Sequence, residues 1–158
     1  MRKSKEAAEI YIYGSYFKNN RTWHVEDSAW KAKQIQSILS KNHVQSKTIC
    51  EVGCGAGEIL RQLSHAMPRT DFVGYELSPQ AFELCKSRES EHVTFCLGNV
   101  LEQNVFYDSL LCIDVFEHVE DYIGFLKSLK PKSNHKVFPI PLDISVLSIL
   151  PGTLIQDR

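Results

Sequence analysis

Seven consecutive residues concentrate what this chain could use to hold a charged ligand: Glu51-Val52-Gly53-Cys54-Gly55-Ala56-Gly57. Three glycines at every second position let a ligand approach the backbone itself, because no Cβ stands in the way. Glu51 lies two residues before the first glycine. A carboxylate there would repel a pyrophosphate but suits an ammonium group. The dinucleotide fingerprint G-x-G-x-x-G, which seats phosphate on a helix N-terminus, is one residue longer. A second carboxylate, Glu76, follows 19 residues after Gly57. An acid at that distance, ending a second strand, accepts hydrogen bonds from ribose hydroxyls in nucleotide-binding α/β folds. Further on, Gly98-Asn99 offers a side-chain carbonyl acceptor, or else a plain turn-forming pair. Asp114, Glu117 and His118 stand together in Asp114-Val-Phe-Glu-His-Val-Glu-Asp121. His118 is a candidate general base, because an unperturbed imidazole gains and loses its proton near neutrality. It equally reads as a histidine bonded locally in the first turn of a helix.

These residues need elements to position them. Thr48 to Val52 is a short β-branched run that reads as a buried strand. Glu58 to Leu63 then reads as a helix, with Ile59, Leu60 and Leu63 on one face. Ahead of this unit, Asp27 or Ser28 can cap a helix from Ala29 to about Ser40. Ile35, Ile38 and Leu39 form its apolar face, while Lys31, Lys33, Gln34 and Gln36 face mostly outward. Asp71 to Glu76 is the second strand. Ser78 caps the next helix, Pro79 fits its first position, and the helix runs to about Arg88. His92 to Leu97 reads as the third strand. Ser109 to Val115 is a fourth, unbroken and apolar enough to be buried on both faces. A helix spans roughly Tyr122 to Leu129, and Lys130-Pro131 stops it. Lys136 to Pro141 reads as a fifth strand that Pro139 and Pro141 confine to an edge. Leu142 to Leu150 is apolar and suits a short helix. Strands that alternate with helices predict a parallel sheet covered on both faces, an α/β doubly wound fold. In such folds the strand ends carrying Glu51, Glu76 and Asn99 share one edge of the sheet.

The run Glu51-Val-Gly-Cys-Gly-Ala-Gly57 resembles motif I of the class I S-adenosylmethionine (SAM) dependent methyltransferases. The Glu-His-Val at 117–119 is similar to the motif IV region of small-molecule members, notably those of quinone biosynthesis. The resemblance covers about residues 24–145. It implies a Rossmann-like, mostly parallel sheet, SAM as cofactor and a small-molecule methyl acceptor. Methyl transfer from a sulfonium is an in-line displacement, so such an enzyme mainly aligns the reacting groups. By resemblance, Glu51 would take the methionine ammonium, Gly53, Cys54, Gly55 and Gly57 would form the glycine surface, and Glu76 would hold the ribose. Asn99 stands where the family often has Asp for the adenine amino group. Backbone groups near Leu77, Val100 and Asp114 would line the same pocket, and His118 is the candidate catalytic base. Asp114, Glu117 and His118 match only part of the divalent-metal pattern of the quinone O-methyltransferases, and no metal is assigned. The family's sheet has seven strands, ending in a hairpin. Only five are legible here, so the resemblance implies a chain truncated before that hairpin.

Composition sets the remaining bounds. The chain has 158 residues, 43% hydrophobic and 23% charged, with a net charge of −1. That suits one globular domain. It offers no broad electrostatic footprint for nucleic acid or an anionic membrane. The domain is read at 23–150, after an aromatic leader at 1–22 with Tyr11, Tyr13, Tyr16 and Phe17, and before a polar tail at 151–158. The leader either covers the pocket or packs on the domain. Trp23 and His24 are candidates to approach the methionine end. No signal-peptide core or membrane-length apolar run occurs, which points to the cytosol. The five cysteines form no C-x-x-C pair and read as reduced thiols. An exposed fifth strand predicts self-association through its edge. Two other functions compete with methyl transfer. One is a nicotinamide-dependent oxidoreductase, against which the short glycine turn and Glu51 both count. The other is a non-catalytic, truncated SAM-binding module.

Overall fold

The computed structural model describes residues 25–139. The leader at 1–22, Trp23, His24, the apolar segment at 142–150 and the tail lie outside the described residues. Among the described residues five strands form one sheet: β1 (Thr48–Val52), β2 (Asp71–Glu76), β3 (Val93–Leu97), β4 (Tyr107–Cys112) and β5 (Ser133–Val137). The helices are α1 (Ser28–Lys41), α2 (Glu58–Ala66), α3 (Pro79–Cys85) and α4 (Tyr122–Leu129). The strand order is β3-β2-β1-β4-β5, and every pairing is parallel. β1 is central: Thr48 pairs with Asp71 on one side, and Ile49 pairs with Ser109 on the other. The order therefore reverses between β1 and β4. In open α/β sheets such a switch point opens a crevice at the carboxyl ends of the strands.

Both faces of the sheet are covered, which is why the central strands are apolar at successive positions. Ile49, Phe72, Val93 and Leu111 share one core with Ala32, Ile35 and Leu39 of α1, Leu60 and Leu63 of α2 and Cys85 of α3. Cys50, Val52, Leu110 and Cys112 point the other way, toward Val100, Tyr107 and Leu129. Leu60 and Leu63 are fully buried on α2, each contributing about 1.5–3 kcal/mol relative to exposure.

Several boundaries differ from the sequence reading. On α1, Ile35 and Leu39 are buried, but Ile38 is 46% exposed and does not join the apolar face. The side chain of Asp27 makes no capping bond; it pairs instead with Lys31 at 3.0 Å. β3 begins at Val93; the His92 carbonyl still accepts from the Phe72 amide at 2.8 Å, while its ring contacts Asp71 at 2.9 Å. β4 ends at Cys112, and Ile113 to Val115 already belong to the loop. β5 begins three residues before the expected Lys136. The polar residues Ser133 and His135 pair with Tyr107 and Ser109, so backbone bonding to β4 extends the strand where side-chain pattern gives no signal. The strand stops before Pro139, which lacks the donor a ladder needs. Among the described residues β5 pairs only with β4. No helix of these residues is long and apolar enough to cross a membrane.

Candidate active site

At the carboxyl ends of β1, β2, β3 and β4 the structure contains a cavity of about 620 Å³. Its floor is the turn that joins β1 to α2. Gly53 and Cys54 both donate backbone bonds to the Tyr75 carbonyl, at 2.8 and 3.1 Å. This holds the turn against β2. Gly53, Gly55 and Gly57 have φ of 66°, 55° and 77°. That is the left-handed region, which costs other residues roughly 1–2 kcal/mol.

Of the sequence-predicted site residues, Glu51, Gly53, Cys54, Gly55, Glu76, Leu77, Asn99, Val100, Asp114 and His118 all line this cavity. Gly57 is not among its lining residues. A Cβ on Gly57 would lie 2.4 Å from Cζ of Phe95, so this glycine lets α2 close on the sheet. Gly98 also lines the cavity, and a Cβ built there would meet nothing within 4 Å.

Glu51 is 1% exposed, and its Oε2 has no hydrogen-bond partner. Burial holds its carboxyl well above the ordinary range; Cys85, Asp114 and Glu76 push the same way, and Lys31 pushes back. Glu76 is organised differently. Its Oε2 accepts from the Gly55 amide at 2.9 Å and its Oε1 from the Ser78 amide at 2.8 Å. Burial raises this carboxyl too, against the pull of those bonds. Glu76 therefore fixes the glycine turn to the start of α3, with further lone pairs left for a ligand.

Asn99 uses its side-chain oxygen to accept from the Leu101 amide at 3.0 Å. It caps the 3₁₀ turn Val100–Glu102, so the turn-forming role is realised. Asp114 lies two residues past β4 with φ of 53°. It is bonded to Lys31 of α1, which also bonds Asp27. Burial alone would lower the Lys31 ammonium; its bonds to Asp114 and Asp27 outweigh this and raise it. Lys31 thus faces the cavity rather than solvent, contrary to the outward position its helical spacing suggests. His118 ends the 3₁₀ turn Phe116–His118 ahead of α4, not the first turn of that helix. Asp121 caps α4 by accepting from the Gly124 amide at 2.9 Å.

The five cysteines are free thiols. Cys54 and Cys85 bring their sulfurs within 4.0 Å, and Cys85 donates to the Gly55 carbonyl at 2.9 Å. The bond to Cys85, followed by burial, pushes the Cys54 thiol well up. Both sulfurs therefore act as packing and bonding groups behind the turn rather than as nucleophiles.

Sequence reasoning missed Lys31, Gly98 as an open cradle, and the wall formed by Glu120, Asp121 and Phe125. The Asp27–Lys31 pair at i, i+4 was a visible hint. The Lys31–Asp114 contact joins residues 83 apart and has no local signature.

The parallel sheet, the reversal of strand order at β1 and the cavity at the strand ends define a Rossmann-like α/β protein with a cavity at its switch point, where open α/β folds place their ligands. Residues 23–138 match the methyltransferase-domain family, and the chain belongs to it. A tRNA N(3)-methylcytidine methyltransferase of Schizosaccharomyces pombe is 24% identical over 106 residues, 65% of this chain and 43% of that protein. A tRNA U34 carboxymethyltransferase of Sulfurimonas denitrificans is 25% identical over 126 residues, 75% of this chain and 39% of that protein. The chain spans less than half the length of these curated relatives. Among solved structures, magnesium protoporphyrin IX methyltransferase from Synechocystis, with bound SAM, superposes with a TM-score of 0.66 at 14% identity, over 83% of this chain and 72% of that one. The plantazolicin methyltransferase BpumL, in complex with a desmethylplantazolicin analogue and SAH, gives 0.61 at 21% identity, over 84% and 57%. These structures share the fold, that of the class I methyltransferases.

Proposed function

We propose that this chain binds SAM in the cavity at the strand ends and serves SAM-dependent methylation of a small-molecule acceptor. The observation that carries the reading is Glu51, a buried residue among those that line the cavity, whose Oε2 has no hydrogen-bond partner. Buried polar groups are almost always bonded, and an orphan calls for an explanation. The ammonium of the methionine moiety supplies the missing donor. Gly98, where a Cβ would meet open space, leaves room for a ligand against the backbone. A volume near 620 Å³ is in the range of small-molecule sites. The residues present therefore fit the cofactor.

SAM supplies a methyl group activated on a sulfonium. The protein's part is to bind and orient. Glu51 receives the ammonium, the Gly53–Gly55 backbone forms the floor, and Glu76 holds the ribose hydroxyls with lone pairs its amide partners leave free. Leu77, Asn99 and Val100 flank the base. Asp114, tethered by Lys31, fixes the loop after β4. His118 is the group read as taking a proton from the acceptor. The cytosolic setting and self-association through the free edge of β5 go with this reading; sedimentation across concentration tests the latter.

Glu76→Gln tests the site without removing bulk. A charge-assisted hydrogen bond contributes about 1.5–3 kcal/mol, so S-adenosylhomocysteine (SAH) should bind roughly ten- to a hundred-fold more weakly. SAM should weaken equally, because both carry the same ribose. Unchanged affinity for both ligands in a folded variant removes Glu76 from the site.

A further inference from the structure

The glycine turn rests on a pair of thiols whose chemistry the binding account leaves unused. Cys54 stands in the turn itself and lines the cavity. Cys85 ends α3 and is fully buried. The two are 31 residues apart in sequence, yet their sulfurs lie 4.0 Å apart. Cys85 donates its S–H to the Gly55 carbonyl at 2.9 Å, a closer contact than the one it makes with the Ala81 carbonyl at 3.4 Å. The Gly55 amide in turn donates to Glu76 at 2.9 Å. Both polar groups of Gly55 are therefore held, one by a carboxylate and the other by a thiol. The Cys54 sulfur packs directly on β2, where a Cβ on Gly74 would lie 2.7 Å from it. That packing keeps it beside Cys85.

We infer that Cys54 and Cys85 form a reversible oxidation site, closing to a disulfide beneath the glycine turn and weakening the turn's hold on the cofactor. The effect on the cofactor rests on the SAM reading of the cavity; the bond itself does not. The oxidant is hydrogen peroxide. Cys54, reached through the cavity, loses its thiol proton and attacks one peroxide oxygen. The O–O bond breaks, leaving a sulfenic acid on Cys54, and the departing hydroxide takes up the proton as water. Cys85 then loses its proton and attacks the Cys54 sulfur. The S–O bond breaks, and hydroxide leaves with that proton as a second water. Two electrons have passed from the sulfurs to the peroxide. The sulfurs close from 4.0 Å to about 2.05 Å. Cys85 then has no proton to donate, the Gly55 carbonyl loses that donor, and the turn is drawn toward α3. The bond from Cys85, followed by burial, keeps Cys54 protonated in the resting fold, so the reaction is slow and asks for sustained oxidant. A ligand lying on the turn shields Cys54.

The full chain, reduced and then treated with hydrogen peroxide, tests this by peptide mass mapping and SAH titration. A Cys54–Cys85 crosslink should form, and dithiothreitol should remove it. The crosslinked chain should bind SAH about tenfold more weakly, as for the loss of one hydrogen bond, and reduction should restore the affinity. SAH present during the treatment should slow crosslinking in proportion to the sites it fills. Cys85→Ala cannot form the bond, so peroxide should leave its SAH affinity where it started; if that variant does not fold, the reversal by dithiothreitol in the wild type carries the test. Oxidation that runs to sulfinic acid or joins other cysteines without this crosslink overturns the inference. So does a crosslinked chain that binds SAH as tightly as the reduced one, or a Cys85→Ala chain that loses affinity to peroxide as the wild type does. Failure of the reduced chain to bind SAH overturns the cofactor reading instead, and the mapped bond still decides whether the oxidation site exists.

Discussion

Glu51→Gln should make the free protein more stable while damaging its site. In the fold the carboxyl of Glu51 is held above its ordinary value of 4.5, chiefly by burial. Below that pH the folded and unfolded chains both carry the proton, and the residue costs nothing. As pH rises, the unfolded chain releases the proton while the folded chain keeps it, so stability falls until the folded group also titrates. At pH 7 the penalty cannot exceed the interval between 4.5 and 7, a ceiling of about 3 kcal/mol whatever the folded value. Glutamine keeps the shape and the neutral polar end but never pays to stay uncharged. For a chain of this size roughly 2–4 °C of Tm accompanies each kcal/mol, giving a ceiling of about 6–12 °C. The assay is thermal unfolding by circular dichroism from pH 4 to 8, with and without SAH. The two proteins should coincide near pH 4.5 and diverge upward, the variant being more stable. SAH should stabilise the wild type more, because only it offers the ammonium a carboxylate. A variant that tracks the wild type at every pH, or that gains as much from SAH, refutes the reasoning.

Glu58 shows the opposite sign. Bonds from Arg61, opposed by burial and joined by Gln62 and Arg88, lower its carboxyl to about 2. Its contribution is complete above the ordinary 4.5 and is lost as pH falls toward 2; Glu58→Gln should cost about 1–3 kcal/mol at pH 7 by urea unfolding, and nearly nothing at pH 2. Gly57→Ala should destabilise by about 2–4 kcal/mol, from left-handed strain and from crowding Phe95. Adding Phe95→Leu should recover part of that loss in a double-mutant cycle, and strict additivity would argue against the contact. Lys31→Met removes the cation that opposes Glu51's raised pKa, so the fall in stability between pH 5 and 8 should steepen; an unchanged slope would separate the two residues.

Much of this fold was legible because local rules agree. β1, β2 and α4 appear at their expected bounds, where β-branched runs, the Ser78–Pro79 start of α3 and the Lys130-Pro131 stop all point one way. β5 was misplaced because Ser133 and His135 have no strand-like character of their own and are extended only through pairing with β4. The clustering of the candidates was legible as well: ten of the eleven candidate residues line one cavity. Gly57, expected in the glycine surface, is not among the residues lining the cavity, and a Cβ there would crowd Phe95. Spacing alone does not distinguish a glycine that admits a ligand from one that admits a ring. Lys31 escaped because its partner Asp114 lies on another element, and helical periodicity cannot say which polar face overhangs a cleft.

Calorimetric titration of the chain with SAM, SAH and NAD in parallel bears most directly on the assignment of the cavity. SAM and SAH should each bind at one site, and NAD should give no binding at the same concentrations, because Glu51 and the short glycine turn provide no seat for a pyrophosphate. Binding of NAD in their place, or no binding of either SAM or SAH to the folded chain, would contradict it.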